Sequence, residues 1–135
     1  MKTKNALNVS GGNSPRGSKG GQRPAAYPEG SIGRNLAMRN YVKYLVERYN
    51  HYREADPHFG RTDRFQYSLL FKNIESRFKA PTYFVPEARF GELVDFLQHR
   101  VDNTVLGRVN AKRGIPNYES FDEYLMQQTG PPVNA

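Results

Sequence analysis

An all-α fold, a small bundle of four to five short helices behind a disordered basic tail, is what the sequence predicts. Apolar residues recur at helical spacing from about residue 34 onward, and capping residues, glycines and prolines divide that pattern into short pieces. One run of strand character, Thr82-Tyr83-Phe84-Val85, lies between Pro81 and Pro86, where proline disfavours a central strand, so 82–85 reads as an extended connection without a sheet. At 135 residues the chain suits one domain. The boundaries expected are a disordered tail over 1–33, a helical domain over 34–130 and a disordered C-terminus over 131–135.

The tail assignment follows from composition. Residues 1–33 hold seven glycines, five basic residues (Lys2, Lys4, Arg16, Lys19, Arg23), one acid (Glu29) and one aromatic, Tyr27. Such a segment buries too little surface to offset its ordering entropy. It carries a net +4 of the chain's formal +7, so most of the basic excess rides on a flexible arm.

The first helix opens after Asn35. Tyr41, Leu45, Tyr49 and Tyr52 follow at steps of four, four and three, with Met38 and Val42 widening the stripe, while Arg39, Lys43 and Glu47 face out. Lys43 and Glu47 have the spacing of a weak helical ion pair. Asp56-Pro57 and Gly60 end the element. A second helix is expected from Thr62-Asp63 to about Lys79, burying Tyr67, Leu70, Phe71, Ile74 and Phe78. Pro86 suits the start of a third, where a missing N–H costs nothing; Phe90, Leu93, Val94, Leu97 and Val101 form its stripe. Asn103-Thr104 caps a fourth through Val105, Leu106 and Val109, ending at Lys112-Arg113-Gly114, although Gly107 inside it costs about 1 kcal/mol against alanine. Ser120-Phe-Asp-Glu123 has the form of a capping box and opens a short last helix with Phe121, Tyr124 and Leu125, stopped by Gly130-Pro131-Pro132.

Several chemistries find no support. There is no cysteine, hence no disulfide or thiolate metal site. His51, His58 and His99 lie on separate elements without zinc-site spacing, so no metal is expected. The carboxylates sit beside basic residues on outer faces, the tail glycines form no phosphate loop, and neither a catalytic constellation nor a cofactor site is legible. No stretch approaches the roughly 18 apolar residues that cross a bilayer, and the basic N-terminus lacks an export signal's apolar run. The expectation is a cytoplasmic protein that is not an enzyme and does not engage a membrane.

The sequence pI near 9.8 points to polyanions, because cations that neutralise phosphates release condensed counterions. The strongest local cluster is Arg108, Asn110, Lys112 and Arg113 at the end of the fourth helix, where the cations suit phosphates and Arg108 or Asn110 could reach base edges. Cations there also complement the helix dipole. Arg77 and Lys79 form a second pair, and Lys19 and Arg23 represent the tail. Tyr41, Tyr44, Tyr49 and Tyr52 could stack on single strands, but helical spacing favours core.

The run Tyr67-x-x-Leu70-Phe71-x-x-Ile74-x-x-Arg77-Phe78-Lys79-x-x-x-Tyr83-x-x-Pro86-x-x-Arg89-Phe90, followed by Phe96-Leu97, resembles the C-terminal domain of phage antirepressor-like proteins over residues 64–98. That resemblance implies a phage or mobile-element regulator working alongside DNA, with Arg77, Lys79 and Arg89 as matched polar positions. Such proteins usually carry a separate N-terminal domain for regulatory binding, whereas here the basic tail takes its place. The leading expectation is therefore a nucleic-acid-associated accessory or regulatory protein, with DNA favoured over RNA. The alternative is a protein-interaction module, an adaptor or inhibitor with an exposed aromatic surface.

Overall fold

The computed structural model describes residues 26–62 and 64–129. Among them are five α-helices, α1 (Leu36–Glu54), α2 (Ser68–Phe78), α3 (Phe90–Asp102), α4 (Val105–Lys112) and α5 (Phe121–Thr129), with short 3₁₀ turns before α1 and between α1, α2 and α3, and no strand. Helix α1 is the hub, with α3 as its main partner and α4 and α5 closing on it.

Helix α1 starts where the Asn35 side chain accepts the Met38 N–H at 3.1 Å. Its stripe is buried as the spacing requires, with Tyr41, Val42, Leu45, Tyr49 and Tyr52 in one core with Leu93, Leu97 and Val101 of α3. Lys43 and Glu47, in contrast, form no ion pair; both are exposed and separate. Tyrosine hydroxyls need partners when buried, and those of Tyr41, Tyr44 and Tyr52 find them in the loop before α5. Tyr41 donates to the Glu119 carbonyl at 2.7 Å, Tyr52 donates to the Asn117 carbonyl at 3.1 Å, and Tyr44 accepts the Glu119 N–H at 2.7 Å.

Three expectations are corrected. First, order begins before residue 34. Tyr27 is only 7% exposed and Ile32 is fully buried. The Ile32 N–H donates to the Val85 carbonyl at 2.9 Å, and the Glu87 N–H donates to the Gly30 carbonyl at 2.8 Å. Gly33 is needed because a Cβ there would fall 2.3 Å from the Tyr27 ring. Residues 1–25 and 130–135, including the expected disorder at both ends, lie outside the described residues.

Second, α2 begins at Ser68 rather than at Thr62-Asp63. The preceding segment is held by tertiary contacts: the Arg53 guanidinium stacks 4.7 Å from the Phe65 ring centre, and Arg61 reaches Asp56 at 3.8 Å. Within α2, Leu70, Ile74 and Phe78 are buried, but of the expected stripe Phe71 is exposed, as is Tyr67 just before the helix. Third, Thr82–Phe84 is a 3₁₀ turn, not an extended run. The backbone there closes locally, Phe84 N–H to Pro81 carbonyl at 2.8 Å, and only Val85 of the run is extended, next to an isolated antiparallel bridge between Ser31 and Pro86. Pro86 precedes a second 3₁₀ turn, Glu87–Arg89, that leads into α3.

Tyr83 lies in the first turn against Tyr27, with ring centres 6.1 Å apart. Burial pushes its hydroxyl up to about 12, and the neighbouring Tyr27 and Glu47 add to the shift. The unfolded chain ionises near pH 10 while the folded form keeps its proton, so this stabilisation is complete below pH 10 and lost as the pH rises toward about 12. Tyr41, Tyr118 and Tyr124 are raised by burial first as well and act in the same sense. Urea unfolding at pH 9 and 11 should show a marked fall for the parent and a shallower one for Tyr83→Phe; equal slopes would remove Tyr83 from the effect.

Candidate nucleic-acid interface

Helix α4 is short and depends on its ends. The Thr104 hydroxyl donates to the Val101 carbonyl at 2.7 Å and accepts the Gly107 N–H at 2.9 Å, which ties the start of α4 to the end of α3. Gly107 is buried in this turn, and an added Cβ would meet the Val101 carbonyl oxygen at 2.3 Å. Its cost in helix propensity is therefore the condition for a close crossing. At the other end Arg113 closes the helix through its backbone, and the Ile115 N–H returns to the Asn110 carbonyl at 2.9 Å.

Arg108, Lys112 and Arg113 are all exposed. Arg108 and Lys112 lie one turn apart on one face, with Arg113 following at the helix end. Among the described residues, no hydrogen bond, ion pair or ring contact engages their side chains. Asp102, the acid that precedes Arg108 in sequence, is occupied: it accepts Asn117 Nδ2 at 2.9 Å and the Tyr118 hydroxyl at 2.7 Å. Three cations are thus presented to solvent, Arg108 from the first turn of α4 and Lys112 and Arg113 from its end, a surface suited to an external anion.

Asn110 does not belong with them. Its amide is half-buried and donates to Asn117 Oδ1 at 3.1 Å and to the Tyr52 hydroxyl at 3.3 Å, so the expected reach to base edges is corrected to a structural role. The hub of that network is Asn117, which the sequence reading missed. Its amide joins Asp102, Gly107 and Asn110, while its carbonyl accepts Arg48 Nη2 at 2.9 Å and the Tyr52 hydroxyl. The sequence offers only an asparagine after Ile115-Pro116, whose burial depends on partners far along the chain.

The remaining candidates are placed apart. Arg77 and Lys79 are exposed at the end of α2, which packs on the 82–84 turn, whereas α4 packs on α1, α3 and the 56–59 turn. Arg89 is engaged at the surface, with two bonds to Glu92 at 2.9 Å, and its guanidinium lies 4.5 Å from the Phe78 ring centre. The hydrogen bond from Arg89 holds the Glu92 carboxyl below its ordinary value. Lys19 and Arg23 lie outside the described residues.

A second cationic feature has no signature in sequence spacing. Phe65, Arg53, Tyr49, Arg100, Phe96, Arg77, Phe78 and Arg89 form an alternating row in which every guanidinium sits 4.5–6.0 Å from the rings beside it. These stacks clamp α2 and the segment before it to α1 and α3. Burial alone would push Tyr49 up, but hydrogen bonds and charge from Arg100 and Arg53 bring its hydroxyl below the ordinary value. Arg53 and Arg100 are thereby engaged within the fold, while Arg77 stays exposed beside its rings. Of the four tyrosines of α1, Tyr41, Tyr49 and Tyr52 are core, and only Tyr44 retains a partly open ring. No group of three metal-ligating side chains comes together among the described residues, and no helix is long and apolar enough to cross a membrane.

No protein-family model, curated protein or solved structure matches the chain significantly. The functional reading therefore rests on residues and geometry.

Proposed function

We propose that this protein is a nucleic-acid-associated accessory or regulatory protein whose folded part meets the phosphate backbone through Arg108, Lys112 and Arg113, while Lys19, Arg23 and the other tail cations add salt-sensitive attraction. The observation that carries this reading is that the three α4 cations are exposed with no carboxylate partner. With Asn110 engaged inward, the surface offers charge more than base-edge recognition, so binding is expected to position the protein on a duplex with little sequence preference. Arg77 and Lys79 supply a separate, weaker contact. Duplex DNA is the favoured target, in keeping with the mobile-element regulator that the 64–98 resemblance implies.

Affinity should fall linearly on logarithmic axes as salt rises, with a slope of about 0.9 per neutralised phosphate. Changing Arg108, Lys112 and Arg113 to alanine should reduce that slope by roughly 2–3, and removing residues 2–24 should flatten it further. Fluorescence anisotropy against duplex DNA, single-stranded DNA and RNA from about 50 mM salt upward measures this. A triple variant that binds like the parent sinks the α4 site, and a parent that ignores all three ligands sinks the function.

One observation favours a second reading. Tyr67, Leu69 and Phe71 expose large apolar side chains within five residues at the start of α2, with Phe59 also exposed. Such a surface suits a protein-interaction module, and loss of a partner on Phe71→Ala with nucleic-acid binding unchanged would support it.

A further inference from the structure

Tyr44, Tyr118 and Tyr124 line an open groove of about 700 Å³, with Arg48 and Pro116 among its walls. The Tyr44 and Tyr124 rings lie 5.0 Å apart at 36°, and Tyr44 in turn stacks on buried Tyr41 at 5.7 Å, so the aromatic lining is fixed by the core. The cation in the wall is already engaged: Arg48 gives two hydrogen bonds to the Asn117 carbonyl and stacks 5.9 Å from the Tyr44 ring centre.

The rim is acidic. Glu119 and Glu123 line the groove, and Glu47 lies close enough to reinforce the burial that raises the Tyr124 hydroxyl, as Glu119 does. Among the described residues no ion pair neutralises Glu47, Glu119 or Glu123. Glu123 uses one oxygen on the Ser120 N–H, leaving the other for an outside donor. Tyrosine faces beside carboxylates recognise an extended segment that sets proline next to cations, because the pyrrolidine ring packs on the aromatic face while the guanidinium meets the acid.

This chain carries such a segment. Residues 14–23 read Ser-Pro-Arg-Gly-Ser-Lys-Gly-Gly-Gln-Arg, with three cations and no acid. The described chain enters beside Tyr27, whose ring meets Tyr83, and Tyr83 in turn feels the charge of Glu47. The ten residues from Arg16 to the start of the described chain reach up to about 33 Å when extended.

We propose that the tyrosine groove takes residues 14–23 of this same chain, with Pro15 against Tyr44 and Tyr124, and Arg16 and Lys19 against Glu119, Glu123 and Glu47. The contact occupies cations that the phosphate reading assigns to nucleic acid, so the two compete. That regulatory consequence rests on the proposed function; the contact itself does not. A weak contact with a Kd of about 1 mM would be roughly half formed at the millimolar effective concentration that a short flexible linker supplies.

The test uses the full chain without nucleic acid. Because the sequence has no cysteine, Ser18→Cys takes a single nitroxide label. Amide signals of residues 118–128 should lose about half their intensity at low salt and regain it near 1 M salt, where the Debye length is about 3 Å. They should also regain it in the Glu47→Gln, Glu119→Gln variant, which leaves the Ser120–Glu123 cap intact. Full intensity in the labelled parent overturns the proposal, as does loss that persists in the double variant. Loss of the same size when labelled chains are mixed with unlabelled, isotope-enriched ones overturns the assignment to the chain's own tail. Failure here leaves the phosphate reading standing, since no phosphate is present, and failure of the salt-dependence experiment leaves this contact to be judged alone.

Discussion

Gly107→Ala is expected to destabilise the protein by about 3 kcal/mol, against the sign that helix propensity alone gives. In an open helix the change would add about 1 kcal/mol of stability. Here the new Cβ would sit 2.3 Å from the Val101 carbonyl oxygen, 2.8 Å from that of Asp102 and 2.9 Å from the Thr104 hydroxyl. Val101 is core, and the Thr104 hydroxyl bridges its carbonyl to the Gly107 N–H. Relief of the clash therefore requires α4 to move off α3, breaking the cap and pulling on Asn117, whose amide holds the Gly107 carbonyl at 3.2 Å. Gly91 in α3 is the matched control: it is exposed, with nothing within 4 Å of an added Cβ. Gly91→Ala should stabilise by about 0.5–1 kcal/mol. Thermal unfolding separates the two, since 3 kcal/mol corresponds to roughly 12–24 °C for a domain near this size. A Gly107→Ala protein at or above the parental midpoint would mean that the α3–α4 crossing is not as close as described.

Leu70→Ala should cost about 2–5 kcal/mol, whereas Phe71→Ala should cost about 1 kcal/mol or less, although phenylalanine is the larger residue. Leu70 is 1% exposed and packs in the core, while Phe71 is 39% exposed. The cost follows the cavity left behind, which a half-solvated ring does not leave. Urea denaturation of both variants distinguishes this placement from the wider buried stripe read from sequence. Equal losses would mean that α2 is rotated about its axis to bring Phe71 inward.

How much could be read beforehand depends on how far apart the determining residues lie. Helix α1 was legible because Tyr41, Leu45, Tyr49 and Tyr52 report one face by their own spacing, and the Ser120–Glu123 capping box because both partners sit within one turn, at 2.9 and 3.1 Å. The late start of α2 was not, since Phe65 is held by Arg53 and Tyr49 across the fold. Nor was the inward turn of Asn110, which depends on Asn117 and Tyr52.

The amino-acid sequence by itself determined an α-helical protein, most of its helix ends and the excess of positive charge, because propensity, periodicity and capping act over a few neighbouring residues. Tertiary structure decided which cations face solvent and which are stacked on rings, why Gly107 is glycine, and that order begins ahead of residue 34. Those outcomes depend on close approach between residues distant along the chain, such as Arg48 and Asn117 or Ile32 and Val85, and no local pattern encodes which pairs will meet.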